Sequence, residues 1–169
     1  MDSTDYQLKV SILIEKAKSK GLIKTYSEFC NSNYSEEFAV NEEEEIYYTS
    51  LSKKNNTKFN IGDIVFISNY LYKTGQNGHK HIFVIIADGQ AVDITYFGFL
   101  LSSQLSKQSY KYNEKLDKNS VNNLHKDSIV KCDDLISISE KEILFKIGEV
   151  SQNELERFIE TYFRYLSEN

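Results

Sequence analysis

The sequence predicts an α+β, mainly β fold, built as a small, strongly bent β-barrel with helices packed on it. Three observations point there. Two β-branched and aromatic runs, 61–67 and 81–88, bracket a polar, glycine-bearing loop and read as paired strands. Further short apolar runs follow at 91–103, 127–132, 135–138 and 143–147. Ser151-Gln152-Asn153-Glu154 is then a capping box that opens a terminal helix. Many short strands with one terminal helix fit a barrel, and an open α+β sheet is the alternative.

In chain order, residues 5–20 have the spacing of an amphipathic helix, with Val10, Leu13, Ile14 and Ala17 on one side and Gly21 at the C-terminal cap. Thr25-x-x-Glu28 is a capping box for a second, short helix. Residues 31–49 are acidic, with Phe38, Val40, Ile46, Tyr47 and Tyr48 interspersed, and read as a loop combined with a single short helix. A polar junction at 50–60 then divides a helical, acidic N-terminal extension (1–57) from a barrel domain (58–169). The strand–loop–strand unit ends at the turn Asp88-Gly89. Gly98, inside the next apolar stretch, signals a bulge or a close approach of backbone. Residues 106–126, carrying Lys107, Lys111, Lys115, Lys118 and Lys126, read as a long, mildly basic excursion. In the last helix Leu155, Phe158, Ile159, Tyr162, Phe163 and Leu166 fall on one face.

A chain of 169 residues is one domain, or one domain with an appendage. With 40% apolar and 27% charged residues it is globular rather than disordered. No apolar run reaches the ~18–20 residues of a membrane span. The start, Met1-Asp2-Ser3-Thr4-Asp5, lacks the basic opening of a signal peptide, so a cytoplasmic location is expected. Cys30 and Cys132 lie far apart and form no CxxC pair, which suits buried thiols in a reducing compartment and supports neither zinc nor a disulfide framework. The net charge of −5 opposes indiscriminate nucleic-acid binding. That acidity is local: residues 28–48 hold seven carboxylates and no base, and without them the balance is +2.

The chemistry concentrates in two places. In Gly75-Gln76-Asn77-Gly78-His79-Lys80-His81, two glycines let backbone N–H groups face an anion and Lys80 adds a positive charge. An ordinary hairpin loop is the plain alternative. Leu101-Ser102-Ser103-Gln104 ends an apolar strand with two hydroxyls and an amide, which either orient a substrate or simply terminate the strand. His79 and His81 share a face in extended backbone, with Lys80 on the other, and their ordinary pKa suits acid–base work. His125 is isolated and reads as a surface residue, and Asp133-Asp134 as a turn. No carboxylate or thiolate spacing supports a metal site, and no cofactor is expected.

Several signatures occur in order across 58–165: Phe59-Asn60-Ile61-Gly62-Asp63-Ile64-Val65, the Gly78-His79-Lys80 loop before an Ile/Val-rich strand, Leu101-Ser102-Ser103-Gln104, Asp127-Ser128-Ile129-Val130-Lys131, Lys146-Ile147-Gly148-Glu149-Val150-Ser151, and Glu154-Leu155. Together they resemble the MazF/PemK toxins of bacterial toxin–antitoxin modules, with residues 1–57 as an atypical extension. The resemblance implies an SH3-like barrel, usually a homodimer, acting as a metal-independent, sequence-preferring endoribonuclease (an mRNA interferase). In that family the ribose 2′-hydroxyl attacks the adjacent phosphate of single-stranded RNA. The family's catalytic arginine falls on Lys80, its threonine falls on Ser102, and the proline after the arginine is His81 here. Lysine and serine keep a cation and a hydroxyl but lose the guanidinium's bidentate fork.

On this reading Lys80, Ser102 and His79 are the catalytic candidates, with His79 added as general base. Gln76, Asn77, Ser103, Gln104, Lys107 and Lys111 are the expected RNA contacts. The expected partners are single-stranded RNA, a second copy of the chain, and a cognate antitoxin, with the acidic residues 28–48 acting in cis as the alternative to the last. Two other readings stay open: a barrel that binds RNA or antitoxin without cutting, and a ribonuclease that depends on His79 rather than Lys80.

Overall fold

The computed structural model describes residues 3–32, 35–52, 58–68, 79–89 and 94–169. The fold is mixed α+β and mainly sheet. Helix α1 (Ser3–Ser19) leads through Gly21, at φ 65°, to β1 (Lys24–Thr25). Three short helices follow: α2 (Tyr26–Cys30), α3 (Ser35–Phe38) and α4 (Glu42–Ser50). The sheet is then built by β2 (Asp63–Ser68), β3 (Lys80–Asp88), β4 (Thr95–Ser102), β5 (Asn113–Leu116), β6 (Ser128–Lys131), β7 (Ile136–Ser139) and β8 (Ile143–Glu149), and α5 (Gln152–Glu168) closes the chain.

The eight strands run in the order β1-β7-β4-β3-β2-β8, and β5 joins through β6, which pairs with β4. β4 therefore carries β7 along its first half and β6 along its last residues, Leu101 and Ser102. Register shifts within β2–β8 and β3–β4 add bends where an extra residue is inserted. At Gly98 a Cβ would sit 1.9 Å from the Val84 carbonyl oxygen, which is the close approach expected of that glycine.

Strand alternation sorts the core into two faces. Ile64, Phe66, Ile82, Val84, Phe99 and Leu101 meet α1 and α5 on the first face; Tyr6, Val10, Leu13, Phe158, Ile159 and Tyr162 pack there. Val65, Ile67, Phe83, Ile85, Tyr96 and Leu100 meet α2 and α3 on the second, against Tyr26, Phe29 and Phe38. Burying such a side chain is worth roughly 1.5–3 kcal/mol each, so the N-terminal helices are anchored on both sides of the sheet. Both cysteines are buried, and burial pushes the Cys132 thiol well above its ordinary pKa.

Two sequence expectations need correction. Residues 31–49 hold two helices rather than one, because Asn41 starts α4 with a capping box of its own, its side chain accepting from the Glu44 N–H at 2.8 Å. The polar stretch 106–126 contains β5, whose hydrogen bonds to β6 are backbone-only and leave little mark on side-chain pattern.

Candidate functional site

The start of β3 and the end of β4 lie side by side, since the strands are antiparallel and Ile82 pairs with Leu101. Alternation then decides which side chains meet. Lys80 continues the row of Ile82 and Val84, while His81 continues that of Phe83 and Ile85. On β4, Ser102 continues the row of Leu100, the second face. Ser102 and His81 thus share one face, and Lys80 and Ser103 emerge toward the other. The Ser102 hydroxyl is buried and accepts the Gln104 N–H at 3.2 Å, closing the turn after the strand.

Helix α4 lies across Lys80 and Ser103. Its capping box places four successive glutamates in the first turn. The Lys80 ammonium donates to the Glu45 carboxylate, and the Ser103 hydroxyl donates to buried Glu44 at 3.1 Å. Glu43 meets His125 Nε2 at 3.1 Å, and this hydrogen bond holds the Glu43 carboxyl below its usual range. Just before α4, Glu37 pairs with Lys107 at 2.9 Å, and the same ammonium sits 4.8 Å from the Phe38 ring centroid. The Val40 N–H donates to the Lys80 carbonyl at 2.9 Å, tying the segment to β3 by backbone as well. Tyr48 anchors the far end of α4 in the core; burial pushes its hydroxyl up to about 12, and that oxygen accepts the His125 N–H at 3.0 Å.

His81 occupies a different environment from its neighbour. Its side chain is fully buried, with Nε2 2.8 Å from the Ser35 carbonyl and Nδ1 2.6 Å from the Tyr26 hydroxyl. A carbonyl only accepts, so Nε2 carries the proton and Nδ1 accepts from Tyr26. Burial lowers its pKa to about 4, helped by nearby His79 and opposed by the hydrogen bond to Ser35. The acid–base use of His81 that its spacing suggested gives way to a neutral clamp joining α2 and α3 to β3. His125 is likewise not an isolated surface group: it is half-buried, held by Glu43 and stacked 4.5 Å from the Tyr47 ring. Its partners are more than seventy residues away in sequence, so no local pattern announced them.

The remaining candidates separate. His79 is exposed beside Lys80, its carbonyl 3.2 Å from the Tyr26 hydroxyl. Gln104 is exposed, and exposed Lys111 pairs with Glu168. Gln76 and Asn77 lie outside the described residues. Among the described residues no group of three or more His, Cys, Asp or Glu is arranged to hold a metal ion, and no helix is long and apolar enough to cross a membrane.

These contacts define a mixed α+β domain whose edge at the start of β3 and the end of β4 carries a cation and a hydroxyl, each holding a carboxylate of the same chain. Residues 60–161 match the family described as PemK-like, MazF-like toxin of type II toxin–antitoxin system. The match spans more than half of the chain, and the chain belongs to that family. Membership makes it a toxin of such a system and implies an antitoxin partner. No curated protein gives a match. The carboxylates on Lys80, Ser103, Lys107 and His125 all come from outside the matched residues.

Proposed function

We propose that this toxin is an endoribonuclease that cuts single-stranded RNA without a metal ion, in the cytoplasm and as a homodimer. The observation that supports it is the convergence of the Lys80 ammonium and the Ser103 hydroxyl on two adjacent carboxylates. The non-bridging oxygens of a phosphodiester ask for the same donors. In the reaction the 2′-oxygen bonds to phosphorus and the bond to the 5′-oxygen breaks, leaving a 2′,3′-cyclic phosphate and a 5′-hydroxyl. Lys80 offsets the charge that grows on the phosphoryl oxygens and donates the proton that turns the departing 5′-oxygen into a hydroxyl. His79, exposed next to it, takes the 2′-proton, Ser103 supplies a hydrogen bond to the phosphate, and Ser102 supports the turn that presents Ser103. Gln76, Asn77, Gln104, Lys107 and Lys111 extend the contact along the strand.

The test is cleavage of a long unstructured RNA in EDTA by the full chain and by Lys80→Ala, Ser102→Ala and His79→Ala. Discrete cuts that fall about 10²–10³-fold in Lys80→Ala support the reading. Full activity in Lys80→Ala with loss in His79→Ala transfers the central role to the histidine. One observation favours a second reading, a module of the same fold that binds RNA or antitoxin without cutting: the Ser102 hydroxyl is buried on its own turn, on the opposite face from Lys80. Tight RNA binding with no cuts in wild type selects that reading.

A further inference from the structure

The lysine read from the sequence as catalytic and the two read as RNA contacts are each already occupied by a carboxylate: Lys80 by Glu45, Lys107 by Glu37 and Lys111 by Glu168. The first two carboxylates, and Glu44 on Ser103, come from a single stretch of chain, residues 37–45. That stretch is pinned at both ends by burial, Phe38 on one face of the sheet and Tyr48 on the other. It is pinned in the middle by the Val40–Lys80 backbone bond. Between these anchors the contacts to the edge are ionic or hydrogen-bonded, and Glu37 and Glu45 keep 49% and 40% of their side chains exposed. A carboxylate presents the same charge-assisted acceptors as a phosphate oxygen, so the two cannot hold one ammonium equally well at once. A competitor on the same chain acts at a high effective concentration.

We propose that residues 35–48 are an intramolecular plug: their carboxylates occupy the phosphate subsites at Lys80, Ser103 and Lys107, and RNA binds by displacing them. The proposal rests on the reading that this edge receives RNA. It makes the acidic stretch a regulator of the site rather than a solvated appendage. It gives Glu37, Glu44 and Glu45, three of the seven carboxylates in residues 28–48, a defined place at the edge. Binding requires breaking ion pairs at the edge, while the buried anchors Phe38 and Tyr48 stay in place. Removal of residues 1–57 is not a usable test, because Tyr6, Leu13, Tyr26 and Phe29 belong to the core.

The experiment uses the full chain and an uncleavable probe, a fluorescent single-stranded DNA oligonucleotide, with cleavage of the corresponding RNA measured in parallel. In Glu37→Gln/Glu45→Gln the side chains keep their size and lose their charge. Affinity for the oligonucleotide is expected to rise about tenfold, and adding Lys107→Ala should remove most of the gain. Glu36→Gln/Glu42→Gln removes as much charge from the same stretch at residues that hold neither Lys80 nor Lys107. An equal gain there, or no gain in Glu37→Gln/Glu45→Gln with a wild-type melting temperature, overturns the plug. Glu37→Gln alone gives the same readout at Lys107 should the double variant unfold. A variant that binds DNA more tightly yet leaves RNA intact upholds the plug and defeats the ribonuclease reading. Wild type that cuts RNA while the variant neither binds nor cuts better does the reverse.

Discussion

The two halves of the N-terminal region attach to the sheet by different physics. Helices α1 and α2 contribute Tyr6, Val10, Leu13, Ile14, Tyr26 and Phe29, all buried, and have few charges at the contact. The stretch 35–48 contributes two buried aromatic anchors, Phe38 and Tyr48, and backbone hydrogen bonds of Ser35 with His81 and Val40 with Lys80, while its carboxylates Glu37, Glu43, Glu44 and Glu45 hold Lys107, His125, Ser103 and Lys80. Apolar burial is non-directional and stays in place once formed. Half-exposed ion pairs are each worth little and exchange readily for another anion. The first half therefore belongs to the scaffold, and the second has the character of an occupant of the site. His81 stands at the boundary, since its two nitrogens bind one residue from each half, Tyr26 and Ser35.

The contrast breaks most sharply at Phe29, whose side chain is only 1% exposed. Phe29→Ala should cost about 3–5 kcal/mol in urea unfolding. A loss below about 1 kcal/mol, on the order of a surface change, would move α2 out of the scaffold.

Next in size is a pH effect at the boundary. His81 has a folded pKa near 4 against an ordinary value of 6.5, so the unfolded chain takes up the proton first as pH falls. Stability from this group is full above pH 6.5 and declines until pH 4, by about 3 kcal/mol in all. Thermal melts across that window, compared with His81→Phe, isolate the contribution. Parallel curves for the two proteins would rule out a neutral buried imidazole.

Smaller again is Tyr48→Phe, which removes the acceptor for the His125 N–H while keeping the ring in the core. About 1 kcal/mol is expected from denaturant curves. Smallest in stability is Glu37→Gln, whose ion pair with Lys107 is half exposed on the carboxylate side, so its loss should stay below about 1 kcal/mol. The same substitution should raise oligonucleotide affinity. A variant that loses several kcal/mol instead would make Glu37 a scaffold residue and dissolve the distinction between the halves.

Much of the fold was legible because it rests on local rules. Thr25, Asn41 and Ser151 each begin a helix whose third residue is a glutamate, and in all three the reciprocal cap forms. The helix at Asn41 is nonetheless hard to separate from its surroundings, since the acidic run that follows carries little apolar periodicity. Strands β2 and β3 announced themselves by continuous apolar runs, as strands buried on both faces do. Strand β5 did not, because Leu116 is the one apolar side chain among its four residues, so no apolar run or alternation marks it. At the site, the order of motifs pointed to Lys80 and Ser102. Strand alternation in the assembled sheet instead leaves Lys80 with Ser103 and turns Ser102 toward the face of His81. Period-two counting within one strand says nothing about which row of a neighbouring strand lies alongside; register does.

By itself the sequence determined the class of fold, the family, the helix starts at Thr25 and Ser151, and the separation of an acidic stretch from a slightly basic remainder. Those properties depend on composition and on spacing within a few residues. Only the tertiary structure decided that Glu45 reaches Lys80 across 35 residues, Glu44 reaches Ser103 across 59, and His81 is a buried clamp rather than an exposed base. Each of these depends on two distant segments being brought to the same edge of a sheet, where burial and charge pairing set what a side chain can do.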